Sequence, residues 1–142
     1  MHFEATQLVK APREKVFEAW TDFEAMPKYS TVFTKATVTK RQGNTVYTES
    51  EGKFMRRKLK SSEKHVLMPP AKVEDEVDAE GSKASSVTKF DVVPEGTRIT
   101  SVNDIELKGK WAKLLGPFAK RSLQGVFRKE MRAFAKYVET QR

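Results

Sequence analysis

The fold is decided by residues 110–142, which read KWAKLLGPFAKRSLQGVFRKEMRAFAKYVETQR. Apolar side chains recur in this stretch at the spacing of one helix face, about 100° per residue, and basic side chains fall on the opposite face. The apolar stripe consists of Ala119, Leu123, Val126, Phe127, Phe134, Tyr137 and Val138. A stripe with this many large side chains predicts a long helix that packs against an extensive apolar partner.

Two features interrupt the pattern of this helix. Glu130 lies near the centre of the apolar stripe, where a carboxylate is costly unless it is paired or hydrated. We therefore expect Glu130 to face a polar partner or a ligand. Gly116-Pro117 is expected to kink the helix or to mark its true start.

Upstream of this helix, alternation of polar and apolar residues predicts mainly strands. A first strand is followed by a helix that opens at Ala11-Pro12 and by a short helix that ends before Pro27. The predicted strands are 2–9, 32–41, 45–54, 57–68, 72–79, 84–93 and 97–107. Hairpin-length turns separate most of them, so neighbouring strands should be antiparallel. The sequence predicts an α+β fold in which a curved antiparallel sheet of about seven strands wraps around the C-terminal helix.

Composition limits the classes of function. The length suits one domain over residues 1–142, and the absence of cysteine excludes disulfides, thiolate metal sites and a cysteine nucleophile. Histidine and carboxylate spacings match no metal motif, and the isolated glycines form no phosphate loop, so we expect no metal and no cofactor. Because neither a signal-peptide pattern nor a membrane-spanning stretch is present, we expect a cytoplasmic protein.

The net charge of +8 at pH 7 leaves two interpretations open. An excess of this size favours an anionic partner such as RNA or a membrane surface, but dispersed charges also make an ordinary solvated surface. The densest basic run comprises Arg56, Arg57, Lys58 and Lys60. This run is either a solvated hairpin tip or a contact for an anionic partner.

The strand faces that should point inward carry polar as well as apolar side chains. Glu63 and His65 share one such face, and Asp75 and Asn103 lie on the inward faces of two other strands. A dry, close-packed core does not accommodate so many polar groups, whereas a cavity that holds water or a ligand does. A solvated sheet centre or a shifted register would explain the same pattern. We favour the cavity.

Several short motifs follow one another in a recognisable order. They are VKAPREKVF at residues 9–17, WTD at 20–22, MPKY at 26–29, KG at 108–109 and LLGP at 114–117. Their order and spacing resemble the START-like, birch-pollen-allergen-like SRPBCC superfamily, which includes polyketide cyclase/dehydrase, lipid-transport and coenzyme-Q-binding-like proteins. The resemblance implies a helix-grip fold with a cavity for an apolar or amphipathic molecule between the sheet and the last helix.

Three functions remain open. The first is binding or transport of a hydrophobic small molecule, such as a lipid, a quinone or a polycyclic metabolite. The second is a polyketide cyclase/dehydratase-type enzyme that uses the same cavity, with an acid–base group from Glu63, His65, Asp75 or Glu130. The third is an interaction module whose basic surface contacts RNA, the ribosome or a protein. The first is favoured, so no residue is assigned a catalytic role.

The candidate ligand-binding residues are aromatic or apolar side chains expected at the cavity, together with polar groups expected to contact the polar end of the ligand. They are Trp20, Met26, Tyr29, Phe33, His65, Phe90, Asn103, Trp111, Phe118, Leu123, Phe127 and Glu130. Trp111 and Phe118 are the candidate gate because they flank Gly116-Pro117. The expected partner is a hydrophobic or amphipathic small molecule, with a transient anionic membrane or RNA contact through the basic face.

Overall fold

One seven-stranded antiparallel sheet forms the body of the protein in the computed structural model, which describes residues 1–141. The strands are β1 (His2–Val9), β2 (Phe33–Gln42), β3 (Thr45–Phe54), β4 (Arg57–Met68), β5 (Lys72–Ala79), β6 (Ser82–Val93) and β7 (Gly96–Leu107). Their order across the sheet is β1-β7-β6-β5-β4-β3-β2, so strands β2 to β7 form consecutive hairpins and β1 pairs with β7. The predicted sheet is confirmed.

Three α-helices and two 3-10 turns complete the fold over residues 1–141. The helices are α1 (Arg13–Thr21), α2 (Gly109–Leu115) and α3 (Ala119–Thr140), and the turns are Phe23–Lys28 and Gly116–Phe118. Gly116 has φ 55°, a value that ends α2 and separates it from α3, so the predicted kink is confirmed. The predicted final residue of this helix, Arg142, lies outside the described residues.

The first 3-10 turn differs from its prediction. The short helix was expected to end before Pro27, but the turn continues through Pro27 to Lys28. A proline's fixed φ is compatible with a 3-10 turn, and such a short segment has few ladder hydrogen bonds to lose. Pro27 therefore does not end the segment.

The sheet and α3 enclose a core that is densely filled at only one end. Phe17 of α1 meets Phe90 of β6 edge to face with ring centroids 5.3 Å apart, and Trp20 meets Phe134 of α3 at 4.9 Å. Val9, Val16, Ile99 and Val138 are fully buried around these rings. Toward the other end of the sheet, smaller and more polar side chains replace these large ones. Among residues 1–141, no helix is both long enough and apolar enough to cross a bilayer.

Candidate functional site

A cavity of about 400 Å³ lies where the large core residues stop, between the concave face of the sheet and α3. The predicted cavity is therefore present. Its wall is mainly apolar, with contributions from the first 3-10 turn, from every strand and from α2 and α3. The wall includes ten of the predicted ligand-binding residues, namely Trp20, Met26, Tyr29, Phe33, His65, Asn103, Trp111, Leu123, Phe127 and Glu130.

Two candidates do not lie on this wall. Phe90 points inward as expected, but it is only 1% exposed and packs against Phe17 and Trp20 in the filled end of the core. Phe118 is 67% exposed. In an unbroken helix Phe118 would share a face with Trp111 and Leu115, but the break at Gly116 removes it from that face. These two residues therefore do not line the cavity, and their role in ligand binding stays a prediction.

Four polar side chains of the cavity wall form one row that crosses four strands. His65 of β4 lies opposite Asp75 of β5, Asp75 opposite Ser86 of β6, and Ser86 opposite Asn103 of β7. Directly opposed residues of an antiparallel sheet share a face, so this register brings four polar groups together on the concave side. The sequence placed His65, Asp75 and Asn103 on inward faces, but it did not show that they are neighbours.

His65 is held from both sides of its ring. Its Nδ1 donates a hydrogen bond to Asp75 Oδ1, and its Nε2 lies 2.8 Å from the Thr48 hydroxyl. Ser86 donates to the other Asp75 oxygen at 3.2 Å. Phe23 stacks on the imidazole with ring centroids 3.9 Å apart and an interplanar angle of 15°. These contacts fix the orientation of a histidine that is only 8% exposed.

Glu63 extends this network along the wall. Its Oε1 accepts hydrogen bonds from the hydroxyls of Thr48, at 2.9 Å, and Ser50, at 2.6 Å. Its Oε2 is buried and has no hydrogen-bond partner among residues 1–141. A buried carboxylate oxygen without a partner is costly, of the order of 1–3 kcal/mol. We refer to Thr48, Ser50, Glu63, His65, Asp75 and Ser86 as the polar cluster.

The polar cluster can move a proton. The Thr48 hydroxyl has one proton and contacts both Glu63 Oε1 and His65 Nε2. When Thr48 donates to Glu63, Nε2 must carry a hydrogen and donate to Thr48. When Thr48 instead donates to Nε2, the proton that Nε2 carried in the first arrangement resides on Glu63. Glu63 then donates a hydrogen bond to the Thr48 hydroxyl oxygen. A proton can thus pass between His65 and Glu63 without rearrangement of heavy atoms.

Hydrogen bonds to the segment before β2 explain why Glu130 lies in the apolar stripe of α3. Its carboxylate accepts hydrogen bonds from Ser30 Oγ and Thr31 N, both at 2.6 Å, and from Thr31 Oγ1. Ser30 Oγ in turn accepts from the backbone N–H of Phe33 at 2.8 Å, where β2 begins. Glu130 thereby ties α3 to the segment that carries Phe33 to the cavity wall. The expected polar partner of Glu130 is this segment.

Replacing Glu130 with alanine is expected to lower the free energy of unfolding by about 2–3 kcal/mol, because charge-assisted hydrogen bonds that join two distant segments are lost. Chemical denaturation measures this change. Lys129→Ala is the matched control on the exposed face of the same helix, and it should change stability by less than about 0.5 kcal/mol. Equal effects of the two substitutions would contradict the structural role of Glu130.

Tyr29 lies beside Glu130 and is kept uncharged. Its ring packs against Phe134 and Tyr137, with centroid distances of 5.3 and 5.1 Å. Burial raises the pKa of the Tyr29 hydroxyl well above its usual value, and the nearby carboxylates of Glu130 and Asp22 raise it further. The hydroxyl thus stays protonated at neutral pH, where it adds no negative charge to the apolar wall.

Trp111 closes the end of the cavity opposite the filled core. It is 5% exposed, and its indole stacks on Phe54 with ring centroids 5.6 Å apart. It also covers the turn between β5 and β6, where a Cβ on Gly81 would lie 2.5 Å from Trp111 Cδ1. Within residues 1–141, no group of three or more histidine, cysteine or acidic residues is arranged to hold a metal ion.

Comparison with known proteins places this arrangement in a family. Residues 1–139 match the model of the family described as polyketide cyclase/dehydrase and lipid transport. The chain belongs to this family. The match confirms the resemblance noted from the short motifs. No curated protein sequence matches the chain.

Solved structures with the same fold diverge widely in sequence. A protein of Thermus thermophilus superposes with a TM-score of 0.88 at 18% identity and covers 97% of both chains. The Zhui aromatase/cyclase of a Streptomyces species superposes with a TM-score of 0.82 at 14% identity. The superposition covers 98% of this chain and 93% of the cyclase chain. A START superfamily protein of Mycobacterium smegmatis superposes with a TM-score of 0.79 at 16% identity, and the superposition covers 97% of both chains. At these identities the likeness shows a shared fold.

Proposed function

We propose that this protein binds a hydrophobic small molecule that carries a hydrogen-bond donor such as a hydroxyl group. The apolar body of the ligand would lie in the cavity against Phe127 and Leu123 of α3 and Phe33 of β2. Its donor would reach the polar cluster. The family description, which includes both lipid transport and cyclase/dehydrase activity, is consistent with a ligand of this class.

The observation that carries this proposal is the unpartnered oxygen of Glu63. Buried polar groups are normally hydrogen-bonded, and Glu63 Oε2 has no partner within residues 1–141 although it lies on the wall of a mainly apolar cavity. A small rotation of the Glu63 carboxyl group toward the cavity would let Oε2 accept a hydrogen bond from a ligand hydroxyl, which would supply the missing donor and offset the cost of burying the carboxylate. Apolar contact with the surrounding wall would provide most of the affinity, at about 25 cal/mol per Å² before ordering costs.

Paired ligands test this assignment. 2-Naphthol and naphthalene differ by one hydroxyl, and we expect the wild-type protein to bind the naphthol roughly ten- to 100-fold more tightly, because one hydrogen bond to a buried charge contributes about 1.5–3 kcal/mol. Glu63→Leu should remove this preference while leaving naphthalene binding within about three-fold. Competition against a fluorescent apolar probe measures both affinities.

Glu49→Leu is the matched control for this experiment. Glu49 lies on β3 and is exposed, and it is absent from the cavity wall. Glu49→Leu should leave both the affinity for naphthalene and the preference for 2-naphthol unchanged. If wild type and Glu63→Leu discriminate the two ligands equally, Glu63 does not contact the ligand donor.

A second candidate function is a cyclase- or dehydratase-type reaction in the same cavity. It is favoured by the His65–Asp75 pair and by its proton connection through Thr48 to Glu63. Cyclisation and dehydration of a polyketone both require removal of a proton at carbon and delivery of a proton to oxygen. A histidine that exchanges a proton with a nearby carboxylate can serve both steps.

A further inference from the structure

Three exposed apolar side chains lie at the end of the molecule closed by Trp111. Met55 at the tip of the β3–β4 hairpin is 52% exposed, Leu114 at the end of α2 is 39% exposed, and Phe118 is 67% exposed. The two segments that carry them are joined by the stacking of Phe54 on Trp111 at 5.6 Å. Single exposed apolar residues are ordinary, but three on two neighbouring segments at one end of the molecule favour a partner for that end.

The same two segments account for the net positive charge of the chain. Residues 53–60 and 108–121 contain ten of the 27 Lys and Arg residues and none of the 19 Asp and Glu residues. The other 120 residues contain 17 basic and 19 acidic side chains, so the net charge of +8 arises entirely from these segments. Exposed pairs with Glu51 and Glu106 engage only Lys60 and Lys108. We call residues 53–60 and 108–121 the basic end.

The backbone at the hairpin tip is also unusual. Met55 and Arg56 form the two-residue turn between β3 and β4, and both have positive φ, at 52° and 65°. Such turns favour Asn-Gly, because most other residues pay about 1–2 kcal/mol each for this conformation. An apolar and a basic side chain are thus presented at the tip at a cost in folding stability. Strain of this kind is typical of functional positions.

We propose that the basic end docks on an anionic lipid bilayer, with Met55 and Phe118 inserted among the acyl chains and the surrounding Lys and Arg residues on the lipid headgroups. The combination of exposed apolar side chains with positive charge on the same two segments fits this partner, because basic residues near an anionic membrane and apolar insertion add to each other. RNA would use the charges but would gain little from an exposed Met or Phe, and it is an alternative outcome of the test.

Docking in this orientation would place the cavity against the membrane. Phe54, Trp111 and Leu115 belong to the basic end and also line the cavity. A hydrophobic ligand could then pass between the bilayer and the cavity with little exposure to water. This consequence rests on the proposed ligand-binding function, whereas docking itself does not, so the two can be tested separately.

Flotation with vesicles tests the docking. We expect the protein to float with phosphatidylcholine vesicles that contain about one-third phosphatidylglycerol, and to bind pure phosphatidylcholine at least about ten-fold more weakly. Met55→Ser/Phe118→Ser should reduce binding to the anionic vesicles about ten-fold or more, because apolar insertion is lost. Lys113→Gln/Lys120→Gln should reduce it roughly 25-fold, since each basic residue near the surface contributes about a five-fold factor.

Matched controls come from the rest of the chain. Val92 is 68% exposed and lies at the far end of β6, so Val92→Ser should bind anionic vesicles like wild type. Lys89→Gln/Arg98→Gln removes two exposed charges outside the basic end and should reduce binding less than about three-fold. Competition between a fluorescent apolar probe and 2-naphthol, measured on the same variants, reports on the cavity independently.

The hairpin tip allows a further check against simple loss of folding. Met55→Asn/Arg56→Gly should raise the melting temperature by about 5 °C, because strain is removed, while weakening vesicle binding. Equal binding of anionic and neutral vesicles would overturn the proposal, as would wild-type binding by Met55→Ser/Phe118→Ser. Binding of single-stranded RNA that all the apolar variants retain, without binding to anionic vesicles, would assign the basic end to nucleic acid instead.

Discussion

Replacing Ala84 with tryptophan is expected to lower the affinity for an apolar probe by at least about 100-fold, because the indole would occupy the space that the ligand requires. Ala84 lies on β6 between Val77 of β5 and Ile105 of β7, and all three line the cavity. The cavity can accept the larger side chain, so the free energy of unfolding should change by no more than about 1–2 kcal/mol. Fluorescence titration and thermal unfolding measure the two effects.

Lys83→Trp is the matched control for the blocked cavity. Lys83 precedes Ala84 on β6, so its side chain points to the opposite, exposed face of the sheet. The same indole there should leave probe affinity within about two-fold of wild type. If Ala84→Trp also binds the probe normally, the ligand does not occupy this cavity.

For a cyclisation or dehydration substrate, His65→Gln is expected to reduce kcat by about 100-fold or more, which is the usual contribution of a general acid or base. Glutamine keeps a hydrogen-bonding side chain on the cavity wall but cannot carry the exchanged proton. KM should change by less than about three-fold because the apolar wall is intact. Steady-state kinetics with a poly-β-ketone chain would measure both parameters.

Asp75→Asn tests whether Asp75 only orients the His65 ring or also stabilises His65 when it carries the transferred proton. The amide can still contact His65 Nδ1, but it cannot stabilise a positively charged imidazole as a carboxylate does. We expect kcat to fall by about ten-fold or more with His65 still present. Full turnover in His65→Gln would exclude His65 as the catalytic group, and it would leave binding as the function that the cavity supports.

The fold was predictable because its signals are local. Alternation marks each strand, turn residues such as Gly43 separate the strands, and the stripe from Ala119 to Val138 marks α3. Even the cavity could be inferred, since Glu63 and His65 occupy inward positions that a dry core would give to apolar side chains. These signals need no knowledge of which residues meet in space.

The polar cluster could not be assembled from the sequence because it depends on pairing between strands. Thr48 and Ser50 are ordinary strand residues until the β3–β4 register places them beside Glu63 and His65. Phe23 lies in a 3-10 turn some 40 residues before the histidine on which it stacks. A shift of one residue in the β3–β4 register would have moved Thr48 and Ser50 away from Glu63 and His65 to the opposite face.

Glu130 and Phe118 show two other limits of the sequence. Glu130 was correctly identified as anomalous, but its partners Ser30 and Thr31 lie about 100 residues away in the chain. Phe118 has the helical spacing of a cavity residue, and only the backbone break at Gly116 turns it to solvent. Periodicity assumes an unbroken helix, so it misassigns residues beyond a break.

Native mass spectrometry of the purified protein, followed by solvent extraction of any bound molecule, tests the central claim most directly. We expect a co-purified or readily loaded apolar molecule that carries a hydroxyl group, and we expect Ala84→Trp to lack it. A protein that remains empty, and that fails to bind any of a panel of hydroxylated polycyclic and lipid probes, would contradict the claim that this cavity is a ligand-binding site.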